Sequence, residues 1–264
     1  MANKHGDFIW YELLTGDADA AGDFYGKVIG WTSKQSGQPG MDYRFFYAGD
    51  GSDPKDGVGG YMAITPDMAA GGAKPCWLGY IAVDDVDASV VSIVAAGGAL
   101  HMPAHDIPNV GRIAMVTDPQ GVPFYVMRGA SDQGSHAFAS DTPKLGHCAW
   151  NELSTTDPAD AMAFYAQQFG WVKDGDMDMG PLGKYEFLRH DFLIGAIMPK
   201  MPDMPVSMWT YYFRVPDIDA AAAAVTANGG TILVEPMEIP GGDFVFTAID
   251  PQGALFSLIG QRRV

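Results

Sequence analysis

Trp10-Tyr11-Glu12-Leu13 opens a pattern that runs on to Phe24-Tyr25 and Gly30-Trp31, and the chain then writes it again. The second copy reads Trp150-Asn151-Glu152-Leu153, Phe164-Tyr165 and Gly170-Trp171, each matched pair 140 positions apart. A further block, Trp77…Val83-Asp84…Gly97-Gly98…Ile107-Pro108…Asp118-Pro119-Gln120-Gly121, returns 132 positions later as Trp209…Val215-Pro216…Gly229-Gly230…Ile239-Pro240…Asp250-Pro251-Gln252-Gly253. The offset shrinks because the loops between the blocks differ in length. Self-similarity at such a period marks a tandem duplication.

The order of elements follows from local chemistry. Phe8 to Leu14 is rich in aromatic and branched residues and predicts a strand. Asp17 is placed to cap a helix from about Ala18 to Ile29, whose apolar positions Ala21, Phe24, Tyr25 and Val28 share one face, with Gly30 as its stop. Strand-like stretches follow at Trp31–Ser33, Tyr43–Ala48 and Val58–Ile64, with Gly59-Gly60 read as a turn. Trp77 to Val83 is another strand, and Asp84 or Asp85 caps a second helix ending at Gly97-Gly98. Strands near Ala99–Met102, Arg112–Thr117 and Pro123–Arg128 complete the half. The second half repeats this, with Asp157-Pro158 as a strong helix start. The fold class is therefore α+β, built of strand–helix–three-strand modules. Residues 1–129 and 145–264 are expected as two domains, joined by a polar linker over 130–144. The Met/Pro-rich stretch Met198–Met208 reads as a loop or lid.

Composition narrows the partners. Of 264 residues, 32 are acidic and 16 basic, a net charge of −16 that repels phosphate backbones and anionic lipid, so neither nucleic acid nor a membrane is expected as a partner. Two cysteines, Cys76 and Cys148, make neither a disulfide framework nor a metal cluster. Met1 to Asp7 lacks a signal pattern, and no apolar run reaches spanning length, so a cytoplasmic monomer or homodimer is the expectation.

Four such modules, with Phe-Tyr…Gly-Trp closing the first helix of each half and Asp-Pro-Gln-Gly before each half's last strand, resemble the vicinal oxygen chelate superfamily of glyoxalases, bleomycin-resistance proteins and dioxygenases. Val83-Asp84-Asp85-Val86-Asp87 also fits that family's approach to the second helix. The resemblance covers nearly the whole chain and is closest to double-length, glyoxalase-like or hydroxylase-like members. It implies modules curled into cups whose concave faces hold the ligand, commonly with a divalent metal bound by His, Gln or Glu. Aligned by spacing, those ligand positions fall on Trp10 and Trp150, Leu78 and Thr210, Tyr125 and Ser257, and near Met62 and Met198. None is a good metal ligand. The reading is therefore no cofactor and no metal at the usual site, with a divalent metal elsewhere as the open alternative. His101 and His105 have helical ligand spacing, but Leu100-His101-Met102-Pro103 reads as a strand end and turn. His5 and His136 are expected in solvent and His147 facing away from the cup by strand parity, while His190 reads as a hydrogen-bonded histidine, with a pocket rim as the alternative.

Strand alternation puts Trp10 and Glu12 on one face, and Trp150 and Glu152 on the matching one. A carboxylate beside an indole is a candidate general base, so Glu12, Glu152 and Tyr125 are the candidate catalytic residues. Because the glutamates survive in both copies, a fold-keeping role competes with that reading. Trp10, Tyr80, Arg112, Trp150, Tyr212, Arg214 and Ser257 are the candidate ligand-binding residues, Tyr and Trp for flat surface and Arg for an anionic group, or, for Arg112, simply for a neighbouring acid. The expected function is a glyoxalase-like enzyme of lyase, isomerase or hydrolase type. It would act on a small organic substrate, aromatic or carbonyl-bearing, by metal-independent acid–base chemistry. The alternative is a non-catalytic binder that sequesters a small molecule, as bleomycin-resistance proteins do.

Overall fold

A computed structural model describes residues 3–38 and 40–263. Met1, Ala2 and Val264, at the ends of the stretches assigned to the two domains, lie outside the described residues. In module one, β1 (Phe8–Thr15) leads to α1 (Ala18–Val28), β2 (Thr32–Gln35), β3 (Tyr43–Tyr47) and β4 (Gly57–Ala63), followed by a short α2 (Pro66–Ala70) that the sequence reading did not separate from its loop. Module two is β5 (Cys76–Ala82), α3 (Val86–Ala95), β6 (Ala99–Ile107), β7 (Gly111–Thr117) and β8 (Pro123–Gly129). Module three is β9 (Cys148–Thr155), α4 (Pro158–Phe169), β10 (Val172–Asp178), β11 (Lys184–His190) and β12 (Phe192–Pro199). Module four is β13 (Met208–Val215), α5 (Ile218–Ala227), β14 (Thr231–Glu238), β15 (Phe244–Ile249) and β16 (Leu255–Gly260).

The fold is α+β. The first half contributes one eight-stranded mixed sheet, β2-β3-β4-β1-β5-β8-β7-β6, and the second half another of the same order, β10-β11-β12-β9-β13-β16-β15-β14. Packing groups the modules differently. One compact unit comprises the residues up to Ile9, Leu78–Ser135 and Trp150–Thr210, and so holds modules two and three; the other comprises Trp10–Trp77, His136–Ala149 and the residues from Tyr211 on, and so holds modules one and four.

The helices begin where the sequence says they should. Asp17, Asp85, Asp157 and Asp217 each accept a backbone N–H of the first turn, satisfying donors that a helix start otherwise leaves unpaired. Gly170 closes α4 at φ 71°, a conformation open to glycine at little cost. Each unit is then centred on aromatic rings. In the unit of modules one and four, Tyr25, Trp31, Phe46, Trp77, Phe213 and Phe256 are buried against one another. In the other, Phe8, Phe124, Tyr165, Phe169, Trp171 and Trp209 do the same.

The repeated motifs explain how these cores are tied. Tyr25 accepts from the Trp77 indole N–H at 2.9 Å and donates to Asp250 at 3.1 Å; Tyr165 accepts from Trp209 at 2.9 Å and donates to Asp118 at 3.2 Å. Asp118 and Asp250 are the acids of the two Asp-Pro-Gln-Gly turns, and each also accepts two backbone N–H groups of its own turn. Burial pushes both carboxyls, and more strongly the Tyr25 phenol, above their ordinary values. The helix-end tryptophans are matched too: Trp31 donates to the Gly146 carbonyl and Trp171 to the Gly6 carbonyl, both at 2.8 Å.

Several local expectations are corrected. Gly59-Gly60 is not a turn but lies within β4, where Gly60 pairs with Glu12 and a Cβ would meet the Tyr43 hydroxyl at 2.0 Å. His101 and His105 stand in β6, which runs past the expected turn to Ile107, although both are exposed as read. His5 is half-buried rather than solvated, because its ring bonds the Gln168 carbonyl at 2.7 Å. Within 130–144, Ala137 and Ala139 are buried and exchange backbone hydrogen bonds with Cys148. Beyond β12, the loop from Lys200 is fastened by the Lys200 ammonium to the Met204 carbonyl.

Candidate functional site

The clearest chemistry sits on the opening strand of modules one and three. In module three, β11 pairs with β12 so that Phe187 stands abreast of Ala196, and Ala196 in turn abreast of Glu152. Tyr185 lies two residues before Phe187 and so on the same face. The Trp150 indole N–H donates to the Tyr185 hydroxyl at 2.7 Å, and that hydroxyl donates to Glu152 Oε2 at 2.7 Å. Phe187 meets both rings edge-on, at 6.2 Å from Trp150 and 5.6 Å from Tyr185. The run of donors has one direction: an indole that can only donate obliges the phenol oxygen to accept, which turns the phenol proton toward the carboxylate.

Module one repeats the parts in a more enclosed setting. Trp10 donates to the Tyr43 hydroxyl at 3.1 Å, Phe45 packs edge-on to both rings, and Gly60 lies abreast of both Glu12 and Phe45. Glu12 is only 4% exposed, whereas Glu152 is half-buried. Near Glu12, the Cys76 thiol is pushed up to about 11, first by burial and then by the Glu12 charge, so at neutral pH it is not a nucleophilic thiolate.

The other candidate residues fall into separate groups. Tyr80 and Tyr125 pair in register on β5 and β8 and stack at 4.2 Å with their planes 17° apart. Arg112 grips Asp87 with two bonds, at 2.7 and 2.8 Å, and reaches Asp106, so its neighbours are acids of the protein. Tyr212 pairs in register with Ser257, whose hydroxyl lies 2.7 Å from that of Thr247. Arg214, two residues along β13, binds Asp243 at 2.8 Å. His147 is buried, its Nδ1 2.6 Å from the His136 carbonyl, and desolvation holds its pKa below the usual value. His190 lies 3.4 Å from Asp7. Tyr43 and Tyr185, which complete the two indole–carboxylate clusters, were not singled out by the sequence reading; the shared Tyr-x-Phe of Tyr43-Arg44-Phe45 and Tyr185-Glu186-Phe187 is the signal that points to them.

The family's usual metal does not fit the side chains present. The spacing-aligned positions carry indole, thioether, phenol, hydroxyl and aliphatic groups, and among the described residues no three His, Cys, Asp or Glu side chains gather as a metal-binding group.

The model of the Glyoxalase/Bleomycin resistance protein/Dioxygenase superfamily matches residues 8–126 and again 144–258. The chain belongs to this superfamily. Among its relatives is CFP32 of Mycobacterium tuberculosis, a protein named as a glyoxylase, 36% identical over 252 residues that span 95% of this chain and 93% of CFP32. Two solved structures share the fold. The 2,2',3-trihydroxybiphenyl 1,2-dioxygenase of Sphingomonas wittichii has a TM-score of 0.68 at 13% identity, over 97% of this chain and 91% of that one. The Mn(II)-bound glyoxalase of Novosphingobium aromaticivorans has a TM-score of 0.63 at 18% identity, over 100% of this chain and 84% of that one. No helix among the described residues is long and apolar enough to cross a membrane.

Proposed function

We propose that this superfamily member is an enzyme that moves a proton on a small aromatic or carbonyl-bearing substrate, with Glu152 as the proton acceptor and without a metal. The observation that carries the reading is the one-way hydrogen-bonded run from Trp150 through Tyr185 to Glu152. A phenol proton held on one carboxylate oxygen fixes the group in direction, as a general base requires. Being half-buried rather than sealed, Glu152 suits contact with substrate better than Glu12 does. A proton taken by Glu152 from a carbon beside a carbonyl, then returned to a different atom, is an isomerisation; loss of a leaving group instead makes the step a lyase reaction. The glyoxylase name of CFP32 favours turnover over sequestration. A cytoplasmic setting and a monomeric or dimeric state belong to the same reading.

The test is proton exchange. A panel of small dicarbonyl and aryl carbonyl compounds is incubated in D2O with protein, and deuterium uptake at carbon is followed by NMR. Glu152→Gln is expected to lower exchange by about 10²–10⁴-fold, the ordinary contribution of a general base. Unchanged exchange in both Glu152→Gln and Glu12→Gln removes the carboxylate mechanism, and binding without exchange across the panel returns the protein to sequestration. Elemental analysis followed by addition of Ni, Zn, Mn and Fe(II) tests the metal-independent part, which a stoichiometric, tightly held metal overturns.

A further inference from the structure

Each half of the chain forms one sheet, whereas each compact unit takes one module from each half. Strand pairing therefore binds module one to module two, and module three to module four. The halves meet through side chains buried inside the units. In the unit of modules one and four, Tyr25 of the first half donates to Asp250 of the second at 3.1 Å and meets the Phe256 ring at 5.3 Å. There the Trp31 indole donates to the Gly146 carbonyl at 2.8 Å. In the unit of modules two and three the roles are exchanged. Tyr165 of the second half donates to Asp118 of the first at 3.2 Å and meets the Phe124 ring at 5.9 Å, while Trp171 donates to the Gly6 carbonyl at 2.8 Å. All of these side chains are buried.

Each half thus carries both sides of the contact, a tyrosine and a tryptophan for one joint, an aspartate and a phenylalanine for the other. A surface that is its own complement is the kind that pairs two copies of one chain. Parted from each other, the halves would expose these rings to water, so apolar burial favours the joined state. One joint is keyed more closely. The Gln120 side chain of the first half accepts from the Asp157 N–H at 2.9 Å and the Thr156 hydroxyl at 2.8 Å, and donates to the Asp157 carbonyl at 2.8 Å. The first copy has Gly16 where the second has Thr156, so a joint between two first halves lacks that hydroxyl.

The peptide connection between the halves takes little part in the joints. Residues 131–133 are exposed, and the Gln133 N–H turns back onto the Ser131 hydroxyl at 3.0 Å. Beyond them, Ser135 returns to the start of the chain and donates its N–H to Asn3 Oδ1 at 2.8 Å. We propose that the halves of this chain are partners that assemble in trans: the first half of one copy accepts the second half of another through the two joints that close a single chain. Two copies exchange halves in this way, and the product keeps every joint contact of the single chain. The connection at residues 131–134 acts as a tether, and a short tether raises the concentration of one half at the other into the millimolar range.

The experiment cuts the tether of the folded, full-length protein. A protease recognition sequence is inserted between Asp132 and Gln133; should the insertion disturb folding, the unmodified chain is cut after Asp132 by a protease selective for acidic residues. Size exclusion is expected to show the cut protein at the mass of the intact chain. Losing the tether should lower the ratio of joined to separated halves by about a hundredfold at about 10 μM protein, without emptying the joined state. Light and 15N-labelled cut protein are then mixed, unfolded in urea, refolded and weighed by native mass spectrometry. Light first halves should appear on heavy second halves in the proportion that random pairing gives, and pairs of two first halves should be scarce. Tyr25→Phe and Tyr165→Phe, which each break a bond between the halves, should raise the protein concentration needed for reassembly by at least about tenfold. Arg262→Gln, whose partner Asp219 lies in the same half, should leave it unchanged. Separation of the cut protein into halves at about 10 μM overturns the proposal, since the tether alone would then hold them. So does refolding without hybrids, pairing of first halves with one another as often as with second halves, or an effect of Arg262→Gln equal to that of the tyrosine variants.

Discussion

Replacing Tyr165 by Phe removes one oxygen atom and leaves two buried groups without their partner. The hydroxyl accepts from the Trp209 indole at 2.9 Å and donates to Asp118 Oδ2 at 3.2 Å. Asp118 keeps the Gln120 and Val122 backbone N–H groups at 2.9 Å each, so it is weakened rather than stranded. The Trp209 N–H, in a buried ring that can only donate, has no such reserve. Leaving a buried donor unpaired costs about 1–3 kcal/mol and losing a bond to an ionised group about 1.5–3, which with partial relaxation gives about 2–4 kcal/mol. For a chain of this length that lowers the melting temperature by about 5–15 °C. Tyr25→Phe strips the matching bonds, to Trp77 at 2.9 Å and Asp250 at 3.1 Å, and should cost the same within experimental scatter. The pH dependence gives a second check. Burial raises the folded-state pKa of Asp118 above its ordinary 3.8, and the Tyr165 bond opposes that rise. Removing the bond raises it further. A carboxyl with a raised folded pKa makes stability fall as pH rises from the unfolded value through the folded one. The deficit of the variant should therefore be full at neutral pH and narrow as acid protonates Asp118. Urea unfolding at several pH values measures it. A loss below about 0.5 kcal/mol at neutral pH, the size of an ordinary surface change, refutes the argument.

Two further outcomes follow from single contacts. Cys76 should react with iodoacetamide slowly at neutral pH, with a rate midpoint near the about 11 that burial and Glu12 impose, and Glu12→Gln should lower that midpoint; a wild-type midpoint at or below the unperturbed 9.0 contradicts the placement. Gly60→Ala should displace the Tyr43 ring, whose hydroxyl would lie 2.0 Å from the new Cβ, and so break the bond from Trp10, costing about 1–3 kcal/mol. An unchanged Trp10 indole N–H resonance together with unchanged stability would show that the strand makes room.

How much could be read in advance depended on the range of the interaction. The capping aspartates and the periodicity of the helices are local, and the helices came out within a residue or two of where those signals place them. Gly59-Gly60 misled because a glycine pair is a turn signal by composition, while here it makes space for a tyrosine three-dimensionally close and seventeen residues away in the chain. The length of β6 was missed for the opposite reason: proline in Met102-Pro103 suggests a stop, but β6 is the outermost strand of its sheet, where a missing N–H is tolerated. Trp150 and Glu152 were legible as same-face neighbours by strand parity. Tyr185 was not, since nothing in the spacing of Glu152 and Tyr185 says that β12 lies between their strands. The unpaired nitrogen of Arg214 and the pairing of Tyr212 with Ser257 appear only in the structure.

Identity between the copies means different things at different sites. The tyrosines, tryptophans and Asp-Pro-Gln-Gly acids persist in both copies because each hydroxyl has a buried indole and a buried carboxylate to satisfy, and no other side chain offers both a donor and an acceptor at that reach. Those residues are held by folding alone and would persist in a protein with no chemistry. Glu12 and Glu152 look identical on the same grounds, yet their exposure differs: Glu12 is buried and Glu152 is half-open, with the Tyr185 phenol donating to it. At other matched positions the copies differ: Tyr125 corresponds to Ser257, and Ala82 to Arg214. Tyr125 stacks on Tyr80 in the first copy, and Arg214 in the second carries a buried Nε with no hydrogen-bond partner among the described residues.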